Sequence, residues 1–249
     1  MKFVAYTKDK EIGIVTMNRP KLNALNLEMM DELAETWKNI ENDVHIRVCI
    51  LTGKGRSYCV GFDMKDIDQG KFAPSMLQTM MPQPFSPSSV SKPVIAAING
   101  LAVGAGFDFM AMDTDILVSA QNATFAMPEV IYGMATLGST FISANIPRPI
   151  AMELALTGDS ISAQRAYEVG LVNRVVSSSD LMQTCLELAR KIASNSPTAV
   201  KQSKQNVLQA SFANLAARVQ ETFAAKQQPL VDSSSAGIAA FVRKEKPVW

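Results

Sequence analysis

Residues 91–115 read SKPVIAAINGLAVGAGFDFMAMDTD. Pro93 to Ile98 is a nearly continuous apolar run containing Val94 and Ile95, the composition of a strand buried on both faces. Asn99 and Gly100 interrupt it. Gly104, Ala105 and Gly106 follow, and then Phe107, Met110 and Ala111 recur at helical spacing. The stretch is expected to pass from strand, through a turn of small residues, into a helix whose first turn carries Asp108. Backbone N–H groups at the start of a helix have no intrahelical acceptor and carry positive partial charge, and with only Gly and Ala around them a ligand can reach them. The turn is therefore a candidate oxyanion site.

Working outward, strands alternate with helices. Phe3–Thr7 and Ile12–Met17 are β-prone runs set apart by four charged residues, which reads as a hairpin or a pair of adjacent strands. Asn26 is placed to cap a helix, because Leu27, Met30, Leu33, Trp37 and Ile40 recur at three and four. Val48–Thr52 reads as a strand, with the glycine-bearing loop Gly53–Arg56 after it. Downstream, Ile116–Ser119 and Thr124–Ala126 read as strands, Gly133–Ser139 as a turn and Thr140–Ile146 as a short helix. Ala151–Thr157 is a helix stopped by Gly158. Ser162 caps another that ends at Gly170, before a strand over Leu171–Val176. From Ser179 onward the period is helical only: Asp180–Ser194, Pro197–Leu208, Phe212–Gln228 and Ala236–Phe241. This order implies an α/β core over residues 1–176 and a C-terminal helical region over 177–249.

The charge balance excludes several classes of function. With 24 Lys and Arg against 23 Asp and Glu, the chain has no electrostatic footprint for nucleic acid or an anionic membrane surface, so an anionic ligand must be held locally. At 249 residues and 47% hydrophobic it can bury a full core, and no apolar run approaches a bilayer span. Met1 to Asp9 lacks the pattern of a signal peptide, and the expected compartment is the cytoplasm. Cys49, Cys59 and Cys185 have no CxxC spacing and are expected to be reduced and packed. His45 is the only histidine and no GxSxG accompanies it, which leaves a nucleophilic triad or a catalytic transition metal without ligands. There is no GxxxxGK[ST] loop, and Phe109 stands where GxGxxG needs its last glycine. The chemistry left belongs to carboxylates and backbone N–H groups.

Two further segments offer such groups. In SYCVGFDMKDID, residues 57–68, Gly61 separates an apolar run from a carboxylate-rich one, and Phe62 could present a second backbone N–H. Read locally, Asp63 and Asp66 cap a short helix; a hard-metal site would need convergent oxygen ligands in a recognised loop pattern, and none is present. Glu129 sits between Met127 and Val130, Ile131 and Tyr132. Read locally, Pro128 and Glu129 begin a helix, and burial there would raise the carboxyl pKa toward the range of a general acid or base. Residues 70–90 carry Met76, Met80 and Met81 among four prolines, which suits either an adaptable apolar wall or a surface loop.

The order of NRPKLNALN at 18–26, SYCVGFDMKDI at 57–67, KPVIAAINGLAVGAGFDFMAMDTDI at 92–116, FAMPEVIYG at 125–133, LTGDSISAQRAYEVGLVNRVV at 156–176 and the terminal FVRKEKPVW resembles the crotonase superfamily of enoyl-CoA hydratases and isomerases, over nearly the whole chain. The resemblance implies a spiral of ββα units forming two roughly perpendicular sheets, with a C-terminal helical region that takes part in assembly and partly covers the site. It also implies a homotrimer or a dimer of trimers and an acyl-CoA substrate that carries coenzyme A, with no further cofactor; the charge balance and the lack of clustered ligands noted above lead to the expectation of no metal, nucleic acid or membrane partner.

Carried over by position, the N–H groups of Phe62 and Ala105 would form the oxyanion hole. Asp108 and Glu129 would be the catalytic carboxylates, and Lys21, Leu22 and Lys65 would border the CoA. Phe62 departs from the family's usual small residue, and Asp108 stands where its hydratases usually carry Glu. In the implied reaction Asp108 activates water and Glu129 delivers the proton to C2. If Asp108 is idle, Glu129 alone suits an enoyl-CoA isomerase; a non-catalytic CoA-binding or RNA-associated member is the alternative of another class.

Overall fold

The computed structural model describes residues 1–71, 84–135, 139–209 and 230–247. The N-terminal hairpin forms as β1 (Val4–Asp9) and β2 (Ile12–Met17), antiparallel with Val4 opposite Met17. Asn26 caps α1 (Leu27–Asn42) by accepting from the Met29 N–H, which satisfies one of the donors that a helix start leaves over. The stripe Met29, Met30, Leu33, Trp37 and Ile40 is the face it buries.

After α1 the chain repeats one manoeuvre three times. β3 (Val48–Gly53) leads into β4 (Ser57–Cys59), β5 (Val94–Ile98) into β6 (Leu101–Val103), and β7 (Ile116–Ala120) into β8 (Thr124–Ala126). The first member of each pair enters a six-stranded sheet ordered β1-β2-β3-β5-β7-β10, and the second enters a four-stranded sheet ordered β4-β6-β8-β9. Neighbours from successive repeats are parallel, so the chain winds as a spiral that contributes one strand to each sheet per turn. β9 (Ser160–Ser162) closes the small sheet antiparallel to β8, and β10 (Arg174–Val176) closes the large one parallel to β7. This is the α/β, two-sheet architecture that the motif order implied.

Side-chain alternation on the large sheet sorts the core into two layers. On β3, Cys49 and Leu51 join α1 in the main core, while Val48 and Ile50 face the opposite way. That second face is covered by α7 (Leu181–Ala193) through Leu181, Cys185, Ala189 and Ala193. All strands of the sheet interior thus read as near-continuous apolar runs because both faces are covered. Beyond Val176 the regular elements among the described residues are helices: α7, a helix α8 over 197–209 and α9 (Leu230–Arg243). The shorter helices are α2 (Met64–Asp68), α3 (Ala105–Asp108), α4 (Ser139–Asn145), α5 (Arg148–Thr157) and α6 (Ala163–Glu168). Gly158 ends α5 at φ 73, and the Ser162 hydroxyl caps α6 by accepting from the Arg165 N–H.

The structure departs from the local reading in two places. Leu101–Val103 is a strand rather than part of a turn, because β4 and β8 flank it and supply long-range backbone partners. The helix expected after Gly104 lasts one turn. Phe107, Phe109, Met110 and Ala111 are all buried, and the Met112 N–H already returns to Phe107 O, five residues back, as the chain winds through the core in successive turns. The Met-rich segment 72–83, part of the turn before α4 (136–138) and the helix expected over Phe212–Gln228 lie outside the described residues. Among the described residues no helix is long and apolar enough to cross a membrane.

Candidate active site

The small sheet brings the candidate residues together. β4, β6 and β8 lie side by side with Cys59 opposite Ala102, Ala102 opposite Phe125 and Val103 opposite Ala126. The three segments leaving their C-terminal ends therefore emerge next to one another: the one carrying Phe62, the one carrying Ala105 and Asp108, and the one carrying Glu129.

Two glycines permit the close approach. Gly61, at φ 85, lies so near the next turn of the spiral that a Cβ there would stand 2.9 Å from Val103 O and 3.1 Å from Ala105 N. Gly104, at φ 52, is packed against the Glu129 carboxylate, and a Cβ there would meet Oε1 at 2.9 Å. Both are positions where only glycine combines the backbone angle with the space.

Phe62 pairs with Leu25 in an isolated parallel bridge. The bridge uses the flanking groups: the Leu25 N–H donates to Gly61 O at 2.7 Å, and the Asp63 N–H donates to Leu25 O at 2.7 Å. In a parallel bridge the N–H of the bridged residue lies on the other edge of the chain, so Phe62 turns its donor away from Leu25. The Phe62 ring goes into the core, with its centroid 6.5 Å from that of Phe85 and 6.2 Å from that of Phe109. Ala105 is buried and opens α3, where the Phe107 and Asp108 N–H groups fold back to Gly104 O at 2.8 and 2.9 Å. The N–H of a first helical residue has no acceptor within its own helix.

Asp108 is buried, 5% exposed, and closes the single turn that Ala105 opens. Glu129 stands in the 3-10 turn Pro128–Tyr132 after β8, not in an α-helix. Its Oε2 is buried and without a hydrogen-bond partner among the described residues. Loss of solvent pushes its carboxyl up to about 7, with its own backbone N–H pulling weakly the other way. A carboxyl so placed exchanges protons readily near neutral pH.

The three CoA candidates lie outward from this centre. Leu22 is half-buried and Lys21 exposed, in the loop that leads to the Leu25 bridge. Lys65 is exposed in the first turn of α2, three residues past Phe62. Neither ammonium is in an ion pair among the described residues. Asp63 caps α2, its side chain accepting from the Lys65 N–H at 3.0 Å, as the local reading had it. His45 is exposed, and the three cysteines are free and buried.

Two neighbours of the site carried no local signal. Arg19 pairs with Asp63, 44 residues away. The C-terminal helix α9 rests on the Glu129 segment, with the Phe241 ring edge-on to Tyr132 at 5.0 Å. At Gly237 the backbones are close enough that a Cβ would stand 2.0 Å from Tyr132 O.

Comparison with known proteins identifies the family and the fold. A family model described as enoyl-CoA hydratase/isomerase matches residues 7–249. The chain is 37% identical over 217 residues to a short-chain-enoyl-CoA hydratase of Clostridium acetobutylicum, covering 82% of this chain and 80% of that one. It is 31% identical over 252 residues to a 2,3-dehydroadipyl-CoA hydratase of Escherichia coli, covering 99% and 98%. Among solved structures, a carnitinyl-CoA dehydratase from Mycobacterium avium superposes with a TM-score of 0.84 at 28% identity, over 99% of this chain and 98% of that one.

Proposed function

The chain belongs to the enoyl-CoA hydratase/isomerase family, and from that premise we propose that Phe62, Ala105, Asp108 and Glu129 form the site at which water adds to a 2-enoyl-CoA thioester. The protein is an acyl-CoA enzyme of the hydratase type. The observation that carries the assignment of residues is the Glu129 carboxylate, whose Oε2 is buried and unpartnered among the described residues and whose Oε1 lies against Gly104, at the head of the turn that holds Ala105 and Asp108.

Addition of water across C2 and C3 builds negative charge on the thioester oxygen. The Phe62 and Ala105 N–H groups, on backbones in contact through Gly61, are the donors that meet it. Fixed dipoles in a water-poor site need no reorganisation as the charge forms, and each such donor is worth about 3 kcal/mol of transition-state stabilisation. Asp108 takes the proton from the attacking water as it bonds to C3. Glu129, protonated up to about pH 7, gives its proton to C2, so the enolate collapses to a saturated 3-hydroxyacyl thioester. Lys21, Leu22 and Lys65 border the CoA, and the reaction needs no cofactor beyond the CoA that the substrate carries.

Asp is one methylene shorter than Glu, which sets its carboxylate about 1.5 Å further back. That difference favours a second reading within the family, in which Glu129 alone moves a proton between C2 and C4 as an isomerase. Exposed Ile131, Met152 and Leu156 on and beside α5 support assembly into trimers. Free, buried cysteines accord with a reducing, cytoplasmic setting. The test is loss of enoyl absorbance when the purified protein meets crotonyl-CoA and longer 2-enoyl-CoA thioesters, repeated with Asp108→Ala. No loss with any thioester, or equal loss in the variant, removes the hydratase assignment of these residues.

A further inference from the structure

The Arg19 guanidinium sits beside the proposed oxyanion loop and binds both of the segments whose pairing aims it. Its Nη2 donates to Asp63 Oδ2 at 2.5 Å, and its Nη1 donates to the carbonyl of Ala24 at 3.0 Å. Asp63 follows Phe62 directly and Ala24 precedes Leu25 directly, so one side chain spans the two ends of the Leu25–Phe62 bridge. Asp63 is committed three ways: its N–H goes to Leu25 O, its Oδ1 caps α2, and its Oδ2 takes Arg19. Arg19 is anchored in turn, because its N–H donates to Asn23 Oδ1 at 3.0 Å and the Asn23 N–H returns to Arg19 O at 3.0 Å. Asn23 is itself buried, at φ 57, and donates to the carbonyls of Lys54, Ser57 and Tyr58, the last two in β4.

The arrangement ties the loop at Phe62 to the strand that delivers it. On the other side the Phe62 ring is wedged against Phe85 and Phe109, and Phe85 is fixed by the Trp37 indole N–H donating to its carbonyl at 2.9 Å. Both partners of the Arg19–Asp63 pair are mostly shielded, with side chains 17% and 16% exposed, so the interaction escapes most of the screening that makes surface pairs weak. A guanidinium is suited to the task, since its planar fork donates along two fixed directions at once.

We propose that Arg19 is a positioning residue for the reaction: acting through Asp63 and Ala24, it holds the Leu25–Phe62 bridge in register and so aims the Phe62 N–H at the thioester oxygen. The inference rests on the reading of Phe62 and Ala105 as the oxyanion donors. Arg19 itself touches no reacting atom. Its removal therefore lowers kcat and leaves binding of the CoA portion largely intact, because a donor displaced by about 1 Å forfeits transition-state stabilisation on the order of a hundredfold.

The test uses the full chain and the thioester para-dimethylaminocinnamoyl-CoA, whose absorption moves to the red when its carbonyl oxygen is hydrogen-bonded. In Arg19→Gln the expected results are a drop in kcat of about tenfold to a hundredfold, an almost unchanged KM, and loss of much of the red shift seen with the unaltered protein. Thermal unfolding is followed in parallel. Arg19→Lys keeps the charge and the packing of the stem, but its single ammonium cannot donate along both directions of the fork. It is expected to fold and to lose kcat and red shift with Arg19→Gln, and it decides the matter if the glutamine variant does not fold. A folded Arg19→Lys enzyme with full kcat and full red shift overturns the proposal. Absence of any red shift in the unaltered protein removes the oxyanion reading instead, and this proposal with it.

Discussion

Replacing Glu129 by Gln tests the buried carboxyl through stability as well as through turnover. Burial moves this group from 4.5 in the unfolded chain to about 7 in the folded one. Below about pH 4 it is protonated in both states and contributes nothing to the pH dependence. Between about 4.5 and 7 the unfolded chain ionises first, so the folded state loses stability as pH rises. Above about 7 both states are ionised and the whole penalty stands, about 3 kcal/mol at 1.36 kcal/mol for each pH unit between the two pKa values. A glutamine side chain does not titrate and escapes it. Glu129→Gln is therefore expected to melt close to the unaltered protein at pH 4 and above it at pH 8, by about 6–12 °C for a domain of this size. Calorimetric or fluorescence melting of both proteins from pH 4 to 8 measures this directly. A gap that stays constant across that range, or a variant that is less stable at pH 8, refutes the reasoning that burial of an unpartnered carboxyl raised the pKa. The same variant is expected to lose enoyl hydration by at least about a hundredfold, the loss typical of a removed general acid, so stabilisation and inactivation should come together.

Other expectations concern the same site. Because the proton that reaches C2 comes from protonated Glu129, kcat/KM for hydration should hold below about pH 7 and decline above it; a profile rising through pH 8 contradicts the assignment of Glu129 as the acid. Asp108→Ala should reduce hydration by about 10²–10⁴-fold while exchange of the C2 protons of a saturated acyl-CoA with solvent deuterium persists, and loss of both together would show that Asp108 supports the fold of the site rather than the water. Gly104→Ala places a Cβ 2.9 Å from Glu129 Oε1 on a backbone at φ 52. It should cost about a hundredfold in kcat by displacing the carboxyl, as read by steady-state kinetics, and full activity would mean that the carboxyl does not need this seat.

Much of the fold was legible because its signals are local. Asn26, Ser162 and Gly158 mark helix ends by side-chain capping or backbone freedom, and each does so in the structure. The apolar runs of β2, β3, β5 and β7 announce a sheet covered on both faces. The short strands β4, β6 and β9 were harder to read: three residues carry no period, and Leu101–Val103 becomes a strand only because β4 and β8 lie on either side. The site followed a similar division. Gly104, Ala105 and Asp108 stand within one run, and Glu129 announces itself as a carboxylate among apolar neighbours. Their convergence, by contrast, depends on which ends of the small sheet lie side by side, and the Arg19–Asp63 brace links residues 44 positions apart. Such long-range pairings have no signature in spacing or composition. The motif order implied the convergence of Phe62, Ala105, Asp108 and Glu129 only through resemblance to a family, and it did not indicate the Arg19–Asp63 brace at all.

The most direct test of water addition at this site is mass spectrometry of the product formed from a 2-enoyl-CoA in water labelled with heavy oxygen. A hydratase that uses Asp108 and Glu129 is expected to yield a 3-hydroxyacyl-CoA carrying one labelled oxygen, with the product lost in Asp108→Ala and in Glu129→Gln. An isomerised enoyl-CoA of unchanged mass, or labelled product formed equally well by both variants, would contradict it.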